Sequence, residues 1–176
     1  WAILDSGNLH FNGGTLSVTD DVSLNAARTI FLDHGGGTLQ VAEGKTLTID
    51  GYIASEKSYV SAANGYTTIN HQGTVDEPAS NRNPDAGDLT IEGGGKVVMR
   101  GAPDGTIRSN MFNTYGGMTS INSGTLRLGG AGSSGTQLLG TNRSAIDGTV
   151  IGANGTLELA STSETTIYDW LTVRGQ

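Results

Sequence analysis

Pairs of apolar residues two positions apart recur from one end of the chain to the other: Leu16/Val18, Val22/Leu24, Ile30/Leu32, Leu39/Val41, Leu47/Ile49, Leu89/Ile91, Val97/Met99, Leu126/Leu128 and Leu157/Leu159. In an extended strand that spacing turns both side chains of a pair to one face. Ser17, Gln40, Thr48, Thr90, Arg127 and Glu158 then face water on the other. Sheets covered by helices on both faces show solid apolar runs instead, and no segment of helix length carries a helical apolar period here. Short one-sided strands of this kind must bury their apolar faces against one another.

Punctuation repeats with the strands. The tripeptide Gly-Thr-[Leu/Val/Ile] begins at Gly14, Gly37, Gly73, Gly105, Gly124, Gly148 and Gly155. Glycine takes a positive φ at a corner without steric cost, and the β-branched threonine re-enters a strand. Successive copies lie mostly about 19 to 36 residues apart, the span of one coil in a repeat architecture. The expected fold is all-β: a parallel β-solenoid, or β-helix, forming a single domain over residues 1–176. At about 22 residues per coil it makes roughly eight coils, a rod on the order of 40 Å long. The rhythm breaks at 52–88 and at 102–114, which read as inserted loops, and long loops on repeat scaffolds carry binding roles.

Composition narrows the classes of function. With 28 Gly and only 35% hydrophobic residues the chain has too little apolar surface for a layered globule, while a charged fraction of 15% and abundant Thr, Val and Ile oppose disorder. A net charge of -7 and scattered basic residues exclude a nucleic-acid partner. No apolar stretch approaches the roughly 20 residues of a membrane-spanning helix. The lack of cysteine fits neither a disulfide-stapled module nor a thiol redox enzyme, and is compatible with passage through an oxidising periplasm. Because the chain starts at Trp1 rather than Met, it reads as a processed product or an excised piece.

One stretch carries a family pattern. Gly87-Asp-Leu-Thr-Ile-Glu-Gly-Gly-Gly-Lys-Val-Val-Met-Arg-Gly101 is followed, after an insert, by Asn113-Thr-Tyr-Gly-Gly-Met-Thr-Ser-Ile-Asn-Ser-Gly-Thr-Leu-Arg-Leu-Gly129. This resembles the autotransporter-associated β-strand repeat of bacterial autotransporter passenger regions, with looser copies at 36–51 and 148–159. The resemblance implies a right-handed β-helix displayed at, or released from, the bacterial cell surface. It implies no activity. The chain departs from the pattern by its insert at 102–112 and shows no series of longer alternating segments that would form a translocator barrel.

Motifs for chemistry are sparse. Gly130-Ala-Gly-Ser-Ser-Gly135 matches the dinucleotide fingerprint in letters, but 136–140 is too short to supply the helix that meets the pyrophosphate. Asn81, Asn83, Asp85 and Glu92 stand at positions 1, 3, 5 and 12 of a calcium loop. Ala86 replaces the required glycine, so a polar turn is the favoured alternative. Acidic clusters at Asp20/Asp21, Asp33/His34 and Asp85/Asp88 are the places where a β-helix polysaccharide lyase or hydrolase would carry its acids and bases, against the plainer reading as caps and turn formers. His10, His34 and His71 share no metal-ligand spacing. Tyr52, Tyr59 and Tyr66 read as coil-stacking residues ahead of a glycan platform.

The ends are apolar and aromatic: Trp1, Ile3, Tyr168, Trp170, Leu171 and Val173. Uncapped terminal coils offer unpaired backbone groups to another chain. The expected function is that of a non-catalytic extracellular structural protein, a subunit or segment of a surface fibre or coat that self-associates end to end without a cofactor. The alternative is an adhesin passenger that binds surface glycans through its inserted loops, and a carbohydrate-active enzyme comes third.

Overall fold

The structure, a computed structural model, describes residues 8–55, 87–100, 113, 115–129, 138–139, 148–160, 167 and 169–174. Among these there is no helix. The strands are β1 (Leu9–Phe11), β2 (Gly14–Val18), β3 (Val22–Leu24), β4 (Ile30–Leu32), β5 (Gly37–Val41), β6 (Thr46–Ile49), β7 (Ile53–Ser55), β8 (Leu89–Gly93), β9 (Lys96–Met99), β10 (Thr119–Leu128), β11 (Thr149–Leu159) and β12 (Leu171–Val173). Each predicted pair lies on a strand, and the pairings among all of these strands are parallel.

The pairings form three ladders in a β-helix-like arrangement. One runs β1-β4-β7. A second runs β2-β5-β8, continues through the first halves of β10 and β11, and ends on β12. A third runs β3-β6-β9 into the second halves of β10 and β11. Among the described residues the longest ladder thus has the rungs β2, β5, β8, β10, β11 and β12, where a uniform repeat over the whole chain predicts about eight. Gly14 pairs with Gly37, but Gly37 pairs with Leu89, so the ladder advances a single rung across the long insert.

Inward columns make the core. Leu16, Leu39, Ile91, Ile121, Ile151 and Val173 stack along the second ladder, and Leu24, Ile49, Met99, Leu128 and Leu159 along the third. Outward neighbours such as Thr38 and Gln40 remain accessible, as the alternation requires. Corners are held by side chains that cap the following rung. Asn8 Oδ1 accepts from Thr29 N–H at 3.1 Å, Asn12 Oδ1 from Gly35 N–H at 3.0 Å, Asp21 Oδ1 from Thr46 N–H at 2.8 Å and Asp88 Oδ1 from Met118 N–H at 2.8 Å. These bonds satisfy corner amides that no strand partner reaches.

Three expectations change. Gly124 and Gly155 do not break strands; they pair with each other inside β10 and β11, which turn from the second ladder to the third without interruption. A register shift between Ile121 and Ser123 and a φ of 77° at Gly124 accomplish the bend. The segment read as a loop from 52 to 88 opens with strand β7 and with Tyr52, buried beside Phe31 and Ala54. Asn113, placed in the loop 102–114, lies in the interior. Gly87 and Asp88, at the far end of the first loop, are also described, with Asp88 capping Met118, while the rest of both loops, with Tyr59, Tyr66, Gly73 and Gly105, lies outside the described residues.

Candidate functional site

β12 forms because Leu171-Thr172-Val173 is apolar and β-branched and because the chain before it is pinned. Trp170 carbonyl accepts from Thr149 N–H at 2.7 Å and Arg174 N–H donates to Ile151 carbonyl at 2.8 Å. Gly148 makes the approach possible, since a Cβ there would stand 2.3 Å from the Trp170 carbonyl oxygen. β12 pairs with β11 and with no other strand among the described residues. Among the described residues the second half of β11 is likewise paired only to β10, so the described ladders finish in a step, with β12 one rung beyond it.

At this step the inward columns come into the open. Leu39 and Ile121 are fully buried, whereas Val173 in the same column is 71% exposed and Leu159, last in its own column, is 57% exposed. Trp170 and Leu171 are exposed beside them. Val22 is the fifth exposed large apolar residue among those described, and it lies on β3, the first rung of the third ladder. Among the described residues the exposed large apolar side chains therefore gather at the terminal rungs rather than along the sides. Trp170, Leu171 and Val173 were expected there from sequence, while Trp1, Ile3 and Tyr168 lie outside the described residues. Leu159 was missed, because its spacing from Leu157 is that of any core strand and nothing local marks a last rung.

Charged side chains along the ladders are engaged in ties between rungs. Lys45 Nζ meets Asp20 Oδ1 at 2.7 Å, and the hydrogen bond with its charge holds the Asp20 carboxyl below its ordinary range and raises Lys45. Arg100 grips Asp50 with two hydrogen bonds, Nε to Oδ1 at 2.6 Å and Nη2 to Oδ2 at 2.7 Å, which raise the guanidinium further. Glu158 accepts from Lys96 and from Arg127, each at 3.0 Å; the Lys96 hydrogen bond is the larger cause of its lowered pKa.

Among the described residues, the acidic side chains considered for catalysis each have separate surroundings. Asp20 binds Lys45, Asp21 caps Thr46, Asp88 caps Met118, and Asp33 has a buried Oδ1 without a partner. Asp85 and His71 lie outside the described residues. His10 stacks on Phe31 with ring centroids 4.7 Å apart. Of the calcium candidates, Asn81, Asn83 and Asp85 lie outside the described residues, while Glu92 Oε1 accepts from Asn122 Nδ2 at 3.2 Å. No group of three or more His, Asp or Glu side chains among the described residues is placed to hold a metal ion. The glycines at 130–135 also fall outside.

No protein-family model matches the chain, and no curated protein or solved structure shows a significant likeness to it.

Proposed function

We propose that this chain is a non-catalytic, right-handed β-solenoid segment of an extracellular or bacterial surface fibre or coat, and that it joins to like segments end to end through its terminal rungs. The observation that carries the reading is the exposure of Leu159 and Val173 at one end of columns whose middle rungs, Leu39, Ile91 and Ile121 in one and Ile49, Met99 and Leu128 in the other, are buried, with Trp170 and Leu171 exposed beside them. The edge of β12 that has no strand partner among the described residues supplies backbone donors and acceptors in register with those side chains. A second segment continues the ladder by laying its Gly14, Thr15 and Leu16 on Leu171, Thr172 and Val173, which extends both the pairing and the aliphatic column.

Magnitudes set the strength of such a joint. Full burial of an aliphatic side chain stabilises by ~1.5–3 kcal/mol, and these side chains are already partly covered. Association costs about 4–15 kcal/mol in lost freedom. The joint is accordingly weak alone and concentration-dependent.

Electron microscopy and light scattering of the 176-residue chain test this reading. Filaments that lengthen with concentration are expected; short dispersed rods at every concentration overturn it. Cysteine pairs add the register. The chain has no cysteine of its own, so a Thr15→Cys, Thr172→Cys variant should form ladders of disulfide-linked chains on oxidation. Adjacent rungs stand about 4.8 Å apart, within the Cα separation that a disulfide spans.

A further inference from the structure

Asp169 occupies the bend that leads into β12. Its Oδ2 accepts from the Thr149 hydroxyl at 2.5 Å, and its Oδ1 is sealed from water with no hydrogen-bond partner. Thr149 itself is fully buried. Its neighbour in the same column, Thr119, shares a hydrogen bond with the buried, neutral Tyr115 hydroxyl at 2.7 Å, whereas Thr149 donates to a carboxyl. A carboxylate with one oxygen unsolvated is costly in a way that a neutral carboxylic acid is not.

We propose that the Asp169 carboxyl is a proton-controlled latch on the edge strand: with its proton bound it lets the bend close on Thr149 and holds β12 to β11, and on ionisation it loosens β12.

The groups facing it decide the direction. From β11 it meets the Thr149 hydroxyl, and from its own bend the Trp170 peptide N–H; burial outweighs both hydrogen bonds and raises the carboxyl from the ordinary 3.8 to about 6. The charged side chains on the packed elements are Glu158 on β11 and Arg174 just after β12, and burial, not either charge, is the leading cause of the shift. Glu158 is occupied by Lys96 and Arg127. A carboxyl with a raised pKa in the closed form binds its proton more tightly there than in the open form. Docking is then strongest below the ordinary value, weakens as pH rises from about 4 to about 6, and stays at its weakest above that. After discounting for partial exposure of the group, the docking equilibrium should change by about tenfold across this window.

The latch belongs to the single chain and stands whether or not segments join. Hydrogen exchange of the 176-residue chain tests it, read as protection of the β12 amides relative to β5 in the same sample from about pH 4.5 to about pH 7.5. The Arg174 amide, bonded to Ile151 carbonyl, is the reporter. Wild-type protection should fall with rising pH, and Asp169→Asn, which keeps the shape and cannot ionise, should show no such fall. A flat wild-type profile, or the same fall in Asp169→Asn, overturns the proposal. Should the variant fail to fold, a ¹³C titration of the wild-type carboxyl decides: a midpoint near 6 supports the latch and one near 3.8 ends it.

Discussion

Asn113 Oδ1 accepts from the Ile53 peptide N–H at 2.7 Å while its Nδ2 donates to the Leu138 carbonyl, so one buried amide satisfies two peptide groups from different passes of the chain. Its neighbour Tyr115 fills the core completely and returns its hydroxyl to Thr119. Replacing Asn113 with alanine strips both peptide groups of their partner in the interior, at ~1–3 kcal/mol for each. Asn113→Ala should therefore lower stability by about 3 kcal/mol, read as a shift of the urea midpoint with an unchanged slope. The Asn-x-Tyr spacing at 113–115 was visible in the sequence as part of a family pattern. Its partner Ile53 was not, because an insert of irregular length separates them and no local rule measures such a span. Asp169 was invisible for a related reason, since an aspartate before a strand reads as a turn former until its burial is known.

Strands were legible because alternation is a local property, and a rung's position in its column was not. Ile91 and Val173 have the same inward orientation and belong to the same column, yet Ile91 lies between Leu39 and Ile121 while Val173 has, among the described residues, a column neighbour on one side only. Ile91→Ala opens a cavity in close-packed surroundings and should cost ~2–5 kcal/mol. Val173→Ala should stay within about 0.5 kcal/mol for the dispersed chain, since little is buried there to lose. Denaturation of the two variants at low protein concentration checks the contrast, and equal losses would mean that Val173 is covered in solution. The length of β10 and β11 was hidden by the glycines. Gly124 and Gly155 look like the corner glycines at Gly14 and Gly37, but strand continuation depends on whether the neighbouring rung also bends, which is a tertiary fact.

At the scale of the whole molecule, the proposed apolar joint is set against the net charge of the chain. Each chain carries a net charge of -7, so bringing rods end to end concentrates like charge, and the repulsion is long-ranged compared with the contact of Val173 and Leu159. Added salt shortens the reach of that repulsion to about 10 Å at 0.1 M and about 3 Å at 1 M. It leaves the burial of aliphatic surface intact. If the joint is apolar with ladder pairing, association measured by light scattering at pH near 7 should rise as sodium chloride increases. Ion pairing between ends predicts the reverse, a fall with salt. The charged ties described above, Lys45 with Asp20, Arg100 with Asp50 and Glu158 with Lys96 and Arg127, bridge rungs within one chain, so salt should loosen them without dissolving a filament. Sodium sulfate sharpens the distinction, because it strengthens apolar burial while screening charge, and should promote filaments beyond sodium chloride at equal ionic strength. Promotion by both salts in that order is the signature of the apolar joint, whereas dissolution by both would assign the terminal surfaces to electrostatic partners instead.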